Sequence, residues 1–331
     1  MTRKDTRRWA AVTTIALIAL TPASPSNAAQ PTCGSTLSPS EITSVGSSCK
    51  LAAATVVSVA PGLDVVVPEP GVAATAAVLR TQQSTAPSLA TVYRTSDDKL
   101  ALRIDDEPAV GSAPAAAALD RIRAKRPEAT GTTGARPLAA AAAAPAWCGE
   151  TWHWQAGNGV WRYPSQYPWT YNPHGQPAAD ALSAIQYGFK FITDDSSSCG
   201  SAPTYASASY RGTTTRYTWG TRDNGNVAGW AGFDLNILAR AYTWTDHAGY
   251  RLEGDIAFNN RRSDWFTGLG GTIPTDRIDL ISVATHEAGH IFGLNHFEGA
   301  SSQVMSPTFS QGENRRTKRS GDLRGINYLY S

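Results

Sequence analysis

"ATHEAGHIFGLNHF", Ala284–Phe297, holds three of the chain's six histidines, at positions 286, 290 and 296. The longer run "RIDLISVATHEAGHIF" has the apolar spacing of a helix, with Asp279 as its N-cap. On a helix, residues four apart lie one above the other on the same face. His286 and His290 can therefore aim both imidazoles at one point, with Glu287 projecting beside them. Two nitrogens leave a zinc ion short of a tetrahedral set. A third ligand farther along the same straight helix would point elsewhere. Gly293 resolves this, because glycine readily takes the left-handed conformation that ends a helix. The chain can then turn back and deliver His296.

Three neutral imidazoles leave the full charge of the metal to act on a fourth ligand, water, whose pKa falls towards neutrality. Glu287 is placed to take that proton as general base and pass it to a leaving amine. The set suits amide hydrolysis. A bare H-E-x-x-H occurs by chance, but a glycine and a third histidine at these offsets make coincidence a poor account. A purely structural zinc normally has four protein ligands and is rich in cysteine. No cysteine is near this motif in the sequence.

The texture of the chain changes at Trp147. Nine of its ten tryptophans and all six histidines lie beyond position 146, while the earlier residues are rich in Ala, Val, Thr, Ser and Pro. Beyond the boundary, "QPAADALSAIQYGFKFI" sets Ala181, Leu182, Ile185, Phe189 and Ile192 at helical spacing. "RYTWGTRDNGNVAGW", "LNILARAYTWT" and "RLEGDIAFNN" read as strands joined by turns. "SGDLRGINYLYS" reads as a last helix capped by Ser320. The expected fold is α+β. Before the boundary, "ATVVSVAPGLDVVVPEPGV" and "TVYRTSDDKLALRID" are β-rich, the second turning at "SDD", with no catalytic grouping. "RAKRPEATGTTGARPLAAAAAAPA" reads as a linker whose basic residues would suit a processing protease.

The first residues read as a targeting segment. "MTRKDTRRW" is a basic start, "AAVTTIALIAL" an apolar run too short to span a bilayer, and "TPASPSNAAQ" supplies small residues for cleavage after Ala28 or Ala29. The expectation is an exported, extracellular protein with no membrane attachment once that segment is removed. Export permits disulfides. Four cysteines allow three pairings, of which the simplest joins Cys33 to Cys49 and Cys148 to Cys199. A formal net charge of +2 gives no reason to expect a nucleic-acid partner.

"HEAGHIFGLNH" matches H-E-x-x-H-x-x-G-x-x-H and so resembles the metzincin zinc endopeptidases. "SSQVMSPTF" is similar to their Met-turn, which would make Met305 the apolar floor beneath the metal. Met-Ser-Pro and the ending "GDLRGINYLY" look most like matrixins, as do "ILARAYTW" and "GDIAFNNRRSDW" as successive strands. The resemblance implies a metzincin-like catalytic domain: a twisted, mostly parallel sheet with an antiparallel edge strand, an active-site helix and a C-terminal helix. It implies one catalytic Zn2+ on His286, His290 and His296, with Glu287 as base. An extended peptide would pair with the edge strand around Leu238 and Ala239, beside a pocket walled in part by Pro307 to Phe309. The expected divisions are a signal peptide at 1–29, a propeptide or N-terminal region at 30–135, an Ala-rich linker at 136–146 and a zinc metallopeptidase domain at 147–331.

Several positions depart from that pattern. Two strands that each give a histidine to a second zinc in animal matrixins carry Arg240 and Ala257 here, so a second zinc is not expected. Phe297 follows the third histidine where matrixins usually have serine, and the pro-segment motif PRCGxPD is absent. Cys148 is the better-placed cysteine for covering the zinc, although a disulfide is the favoured reading for it. "DNGN", 223–226, offers oxygens that Ca2+ could use, but the expectation is a plain turn without calcium. His153, His174 and His247 are expected at the surface or behind the ligands, with no metal role of their own, and "ENRRTKRS", Glu313–Ser320, as a solvated loop. Taken together, the resemblance implies a secreted monomeric endopeptidase acting on proteins or peptides, made latent and opened by an activating protease. The rival readings are a non-catalytic secreted binding protein that keeps the zinc site, and a permanent surface-binding role for residues 30–135.

Overall fold

The computed structural model describes residues 30–81, 86–124, 159–161, 166–197, 199–201, 204–217, 219–297 and 302–330. The expected signal peptide, the linker, Cys148 and His153 lie outside them. Pro31–Ser331 form one compact unit.

The elements used below are β1 (Val56–Ala60), β2 (Leu63–Val66), β3 (Val72–Thr81), β4 (Leu89–Arg94), β5 (Leu100–Ile104), α1 (Ala113–Ala124) and β6 (Gln166–Tyr171). They continue with α2 (Ala181–Thr193), β7 (Ser207–Thr213), β8 (Val227–Ala231), β9 (Ile237–Asp246), β10 (Arg251–Asn259), α3 (Leu280–Ile291), β11 (Thr308–Phe309) and α4 (Ser320–Tyr330). Strands β7, β6, β8 and β10 are parallel neighbours in that order, and β9 closes the set antiparallel to β10. This is the mostly parallel sheet with an antiparallel edge that the resemblance implies.

The sheet does not stop at β9. Its outer edge pairs antiparallel with β3 from Ile237↔Arg80 to Asp246↔Val72. Beyond β3 follow β4 and β5, so one ten-stranded sheet runs through both halves of the chain. An unpaired row of N–H and C=O groups on β9 is a template for another strand, and the chain supplies one. The pairing places alternate residues of β3 in two cores. Ala77 and Leu79 join the core around α2 and α3. Val72, Ala74, Ala76 and Val78 pack with Ile237, Tyr242, Trp244 and Ala257, and with Leu37, Val57 and Leu63 of the N-terminal layer.

Helix α2 turns Ala181, Ala184, Ile185, Gly188, Phe189 and Ile192 inward, while Leu182 is half-buried at the margin. Asp279 caps α3 by accepting from the Ser282 N–H at 3.0 Å. Helix α4 already includes Ser320, and the group that binds its start is Asp322, whose carboxylate accepts from the Arg319 N–H at 3.0 Å. Cys33 and Cys49 are joined in a disulfide, and Cys199 is disulfide-bonded as well.

The expectation for Glu313–Ser320 is overturned. Arg315, Arg316, Lys318 and Ser320 are buried. Arg316 forms a two-point ion pair with Asp279, at 2.8 and 2.6 Å. Lys318 donates to the carbonyls of Phe191, Ile192 and Asp194, the last turn of α2, where the helix dipole favours a cation. A run of charge looks solvated until its partners, far away in sequence, are placed beside it. "DNGN" is a turn: Asp223 accepts from the Gly225 N–H, and the buried Glu253 carboxylate accepts from the Asp223 and Asn224 N–H groups. His174 and His247 are exposed.

Candidate metal centre

The C-terminal half of α3 carries His286, Glu287 and His290, and its end is built by glycine. Gly293 has φ +92°, and its N–H bonds to the His290 carbonyl at 3.0 Å. A side chain there would also sit 2.6 Å from the Gly159 carbonyl. The reversal brings His296 back against the helix. The three Nε2 atoms converge, with separations of 3.1, 3.1 and 3.0 Å. A tetrahedral zinc with nitrogen arms of about 2.0 Å needs edges of about 3.3 Å, so the triangle fits that ion with little adjustment. Among the described residues, this is the one cluster of His, Cys, Asp and Glu groups close enough to share an ion.

The opposite nitrogen of each ring is also bonded. His286 Nδ1 meets the Val304 carbonyl at 2.7 Å, and His290 Nδ1 meets the Leu294 carbonyl at 3.0 Å. A carbonyl can only accept, so both rings carry their proton on Nδ1 and turn a lone pair inward. His296 Nδ1 meets the Ser88 hydroxyl at 2.8 Å, and that hydroxyl lies 3.2 Å from Asp105 Oδ1. The consistent direction is imidazole to hydroxyl to carboxylate. Ser88 and Asp105 come from the N-terminal half and went unnoticed in the sequence, because neither sits in a motif.

Every ligand is buried, as is Glu287. Burial holds His286 well below the usual histidine range, with the neighbouring His290 adding to it, and holds His290 down to about 3. His296 is lowered by burial and by the other two rings. All three are neutral, the form that binds a metal. Glu287 is driven well above the usual carboxylate range by burial, and both its oxygens lack a hydrogen-bond partner. A buried carboxylate with neither partner nor counter-charge demands an explanation. A divalent ion among the imidazoles, with water beside it, supplies both.

Met305 packs under the helix so closely that a Cβ at Gly289 would overlap its sulfur. Its segment is held by Asp322, which accepts from the Val304 and Met305 N–H groups at 3.0 and 3.2 Å. Phe297 donates its N–H to the Met305 carbonyl at 2.9 Å, tying the third ligand's strand to the same turn. Leu238 and Ala239 are fully buried, with Ala239 opposite Leu79, and the Pro307 carbonyl accepts from the Arg80 N–H at 3.3 Å. Arg240 and Ala257 are cross-strand partners, and the Arg240 guanidinium lies 4.2 Å above the Phe233 ring.

Comparison with known proteins adds to this geometry. Residues 184–331 match the sequence profile described as Matrixin. Metalloendoproteinase 2-MMP of Arabidopsis thaliana is 41% identical over 56 residues, covering 17% of this chain and 15% of that protein. Matrilysin of Felis catus is 38% identical over 94 residues, covering 28% of this chain and 32% of that one. Stromelysin-3 of Rattus norvegicus is 36% identical over 94 residues, covering 28% and 16%. The chain thus spans between 15% and 32% of the length of these relatives. The metalloproteinase-II structure from Bacteroides fragilis overlays at a TM-score of 0.27 and 11% identity, over 81% of this chain and 82% of that one, too distant to add to the argument. The profile match, the three convergent imidazoles and the Met305 turn agree, and residues 184–331 form a matrixin domain of the metzincin kind.

Proposed function

We propose that this chain is a secreted zinc-dependent endopeptidase made as a latent precursor, with Glu287 as its general base. The observation that carries the reading is an orphaned, buried carboxylate one residue from the first of three convergent imidazoles. His286, His290 and His296 would hold the ion. Zinc there supplies a Lewis acid that acidifies water and polarises a carbonyl oxygen. The Nδ1 bonds fix each ring's tautomer and aim before any ion arrives. Glu287 accepts the attacking water's proton and delivers it to the departing amine nitrogen. The dry surroundings strengthen that charge exchange. Latency is supported by the burial of the whole set and by the Ser88 hydroxyl of the N-terminal half resting on His296.

The test uses secreted protein from which residues 30–135 have been removed after folding. Zinc content and casein hydrolysis are measured for the native sequence and for Glu287→Ala. The expectation is one zinc per chain in both, with hydrolysis falling by about 10²–10⁴-fold in the variant. A native form that holds zinc yet cleaves nothing, with Glu287→Ala unchanged in every property, would establish the non-catalytic binding protein instead.

A further inference from the structure

Strand β3 has a neighbour on each side at its end. Along β9 it forms a full antiparallel ladder, and Ala239, where an extended peptide is expected to pair, faces Leu79. At Arg80 and Thr81 it also pairs in parallel with Thr308 and Phe309 of β11. The Arg80 N–H reaches the Pro307 carbonyl at 3.3 Å, and the Thr81 N–H reaches the Asn236 carbonyl at 2.9 Å. These are the two walls of the slot expected for an extended peptide, and β3 lies between them. The return strand completes the cover: the Val78 N–H bonds to the Ser88 carbonyl at 2.8 Å, and the Ser88 hydroxyl rests on His296.

We propose that residues 72–81, with the returning Ser88, are a built-in strand inhibitor that fills the peptide slot by main-chain pairing, and that cutting the chain between 125 and 158 leaves it in place. The proposal rests on the peptidase reading for what the slot is for. Main-chain ladders give an edge strand its affinity without regard to sequence, so a peptide of this kind competes directly with any extended substrate. The hold is more than a ladder. Ala77 and Leu79 are buried in the core of the active-site helix, and Val72, Ala74, Ala76 and Val78 in the core on the opposite face. Among the described residues, both cores are built from positions outside the linker. Activation therefore takes two events, a cut and then displacement or digestion of the strand.

The experiment uses the full chain with a site-specific protease sequence placed at 136–146, cut to completion. Three quantities are read: co-elution of the two fragments on gel filtration, the rate of zinc removal by dipicolinate, and hydrolysis of a quenched fluorogenic peptide. Two variants flank the native sequence. Ala76→Pro with Ala77→Pro loosens the strand, since consecutive residues of a central strand bond to opposite neighbours and proline removes a bond on each side. Val78→Cys with Arg240→Cys locks it, because these residues are cross-strand partners. After the cut, the native fragments are expected to co-elute, with zinc removal changed by less than about twofold, whereas the loosened variant releases zinc about tenfold faster or more. The locked variant stays slow until reductant is added.

Separation of the native fragments on cutting, with zinc released at once, would mean that the linker alone held the strand, and the proposal fails. Hydrolysis by the locked, oxidised form would mean that substrate enters elsewhere, and it fails again. Zinc access that opens in the loosened variant without any hydrolysis upholds the strand inhibitor and sinks the peptidase reading instead. Should the proline variant not fold, the locked pair decides: trypsin digestion of the cut N-terminal fragment must open the site only after reduction.

Discussion

His286 and His290 give their Nδ1 protons to Val304 and Leu294, carbonyls of the same domain. His296 gives its proton to Ser88, 208 residues earlier in the chain. Two ligands are thus steadied by structure that the matrixin domain makes for itself, and the third by the half of the chain that covers it. The contrast teaches that the cover is also part of the site. Its hydroxyl orients a ligand while its strand fills the slot, so the covered form should hold zinc more tightly than the uncovered one.

Acid should act on all three rings at once, through their inward-facing Nε2 atoms, and it is the largest effect expected. The three rings are kept neutral by burial, His290 down to about 3. In the unfolded chain they titrate near ~6.5. Between those values the unfolded state binds protons that the folded state refuses, so stability rises with pH there. Their contribution is complete above about pH 6.5 and drains away as pH falls below it, by up to about 4 kcal/mol per pH unit if all three act, offset by about 1.4 kcal/mol per unit from Glu287, whose raised pKa works in the opposite direction. Urea unfolding and zinc retention measured from pH 8 to pH 4 should decline together. A flat profile across pH 7 to 5 would contradict the burial of the rings.

Asp322 tests the anchor that belongs to the domain itself. Its carboxylate accepts from Val304, Met305 and Arg319 N–H groups. Asp322→Ala leaves two buried donors and the half-buried Arg319 N–H unmet, at about 1–3 kcal/mol each as an upper range for the buried pair. A loss of about 3 kcal/mol or more in folding free energy is expected, with the His286 tether loosened because Val304 supplies its acceptor. An unchanged urea midpoint would show that the Met305 turn holds without it.

Ser88→Ala tests the anchor from outside and sharpens the comparison. Removing an outer hydrogen-bond partner of a metal-bound imidazole costs about 10–100-fold in affinity. That loss should appear in competition titrations of the intact chain, with the urea midpoint of the metal-free protein little changed. A lowered urea midpoint with unchanged zinc affinity would mean that Ser88 acts on folding and not on His296. The smallest change is Gly289→Ala, which drives a methyl into the Met305 sulfur. Overpacking of this sort costs about 1–3 kcal/mol, read as a lowered Tm with zinc stoichiometry preserved.

The metal motif was legible because its geometry is local. Residues four apart share a helix face, and a glycine three residues past His290 ends the helix, so the convergence of His286, His290 and His296 follows from spacing alone. The Asp279 cap was legible for the same reason. The fate of Glu313–Ser320 was not, because the partners of Arg316 and Lys318 lie in Asp279 and at the end of α2. Ser88 and Asp105 were equally hidden: a serine and an aspartate in a β-rich run carry no signal until a hairpin sets them against His296.

The sequence by itself determined the chemistry, two nitrogens and a carboxylate on one helix and a third nitrogen just past its glycine end, because neighbours in the chain are neighbours in that short stretch. The first β-rich run read from the sequence stops at Val72, and the alanines of 72–81 argue for no strand of their own. Only the tertiary structure made 72–81 a strand and decided where it goes. Main-chain hydrogen bonds are alike at every edge, so nothing in the residues of β3 names β9 as its partner. The choice is made by the two cores that close around it, and with that choice the N-terminal half becomes the cover of the metal site.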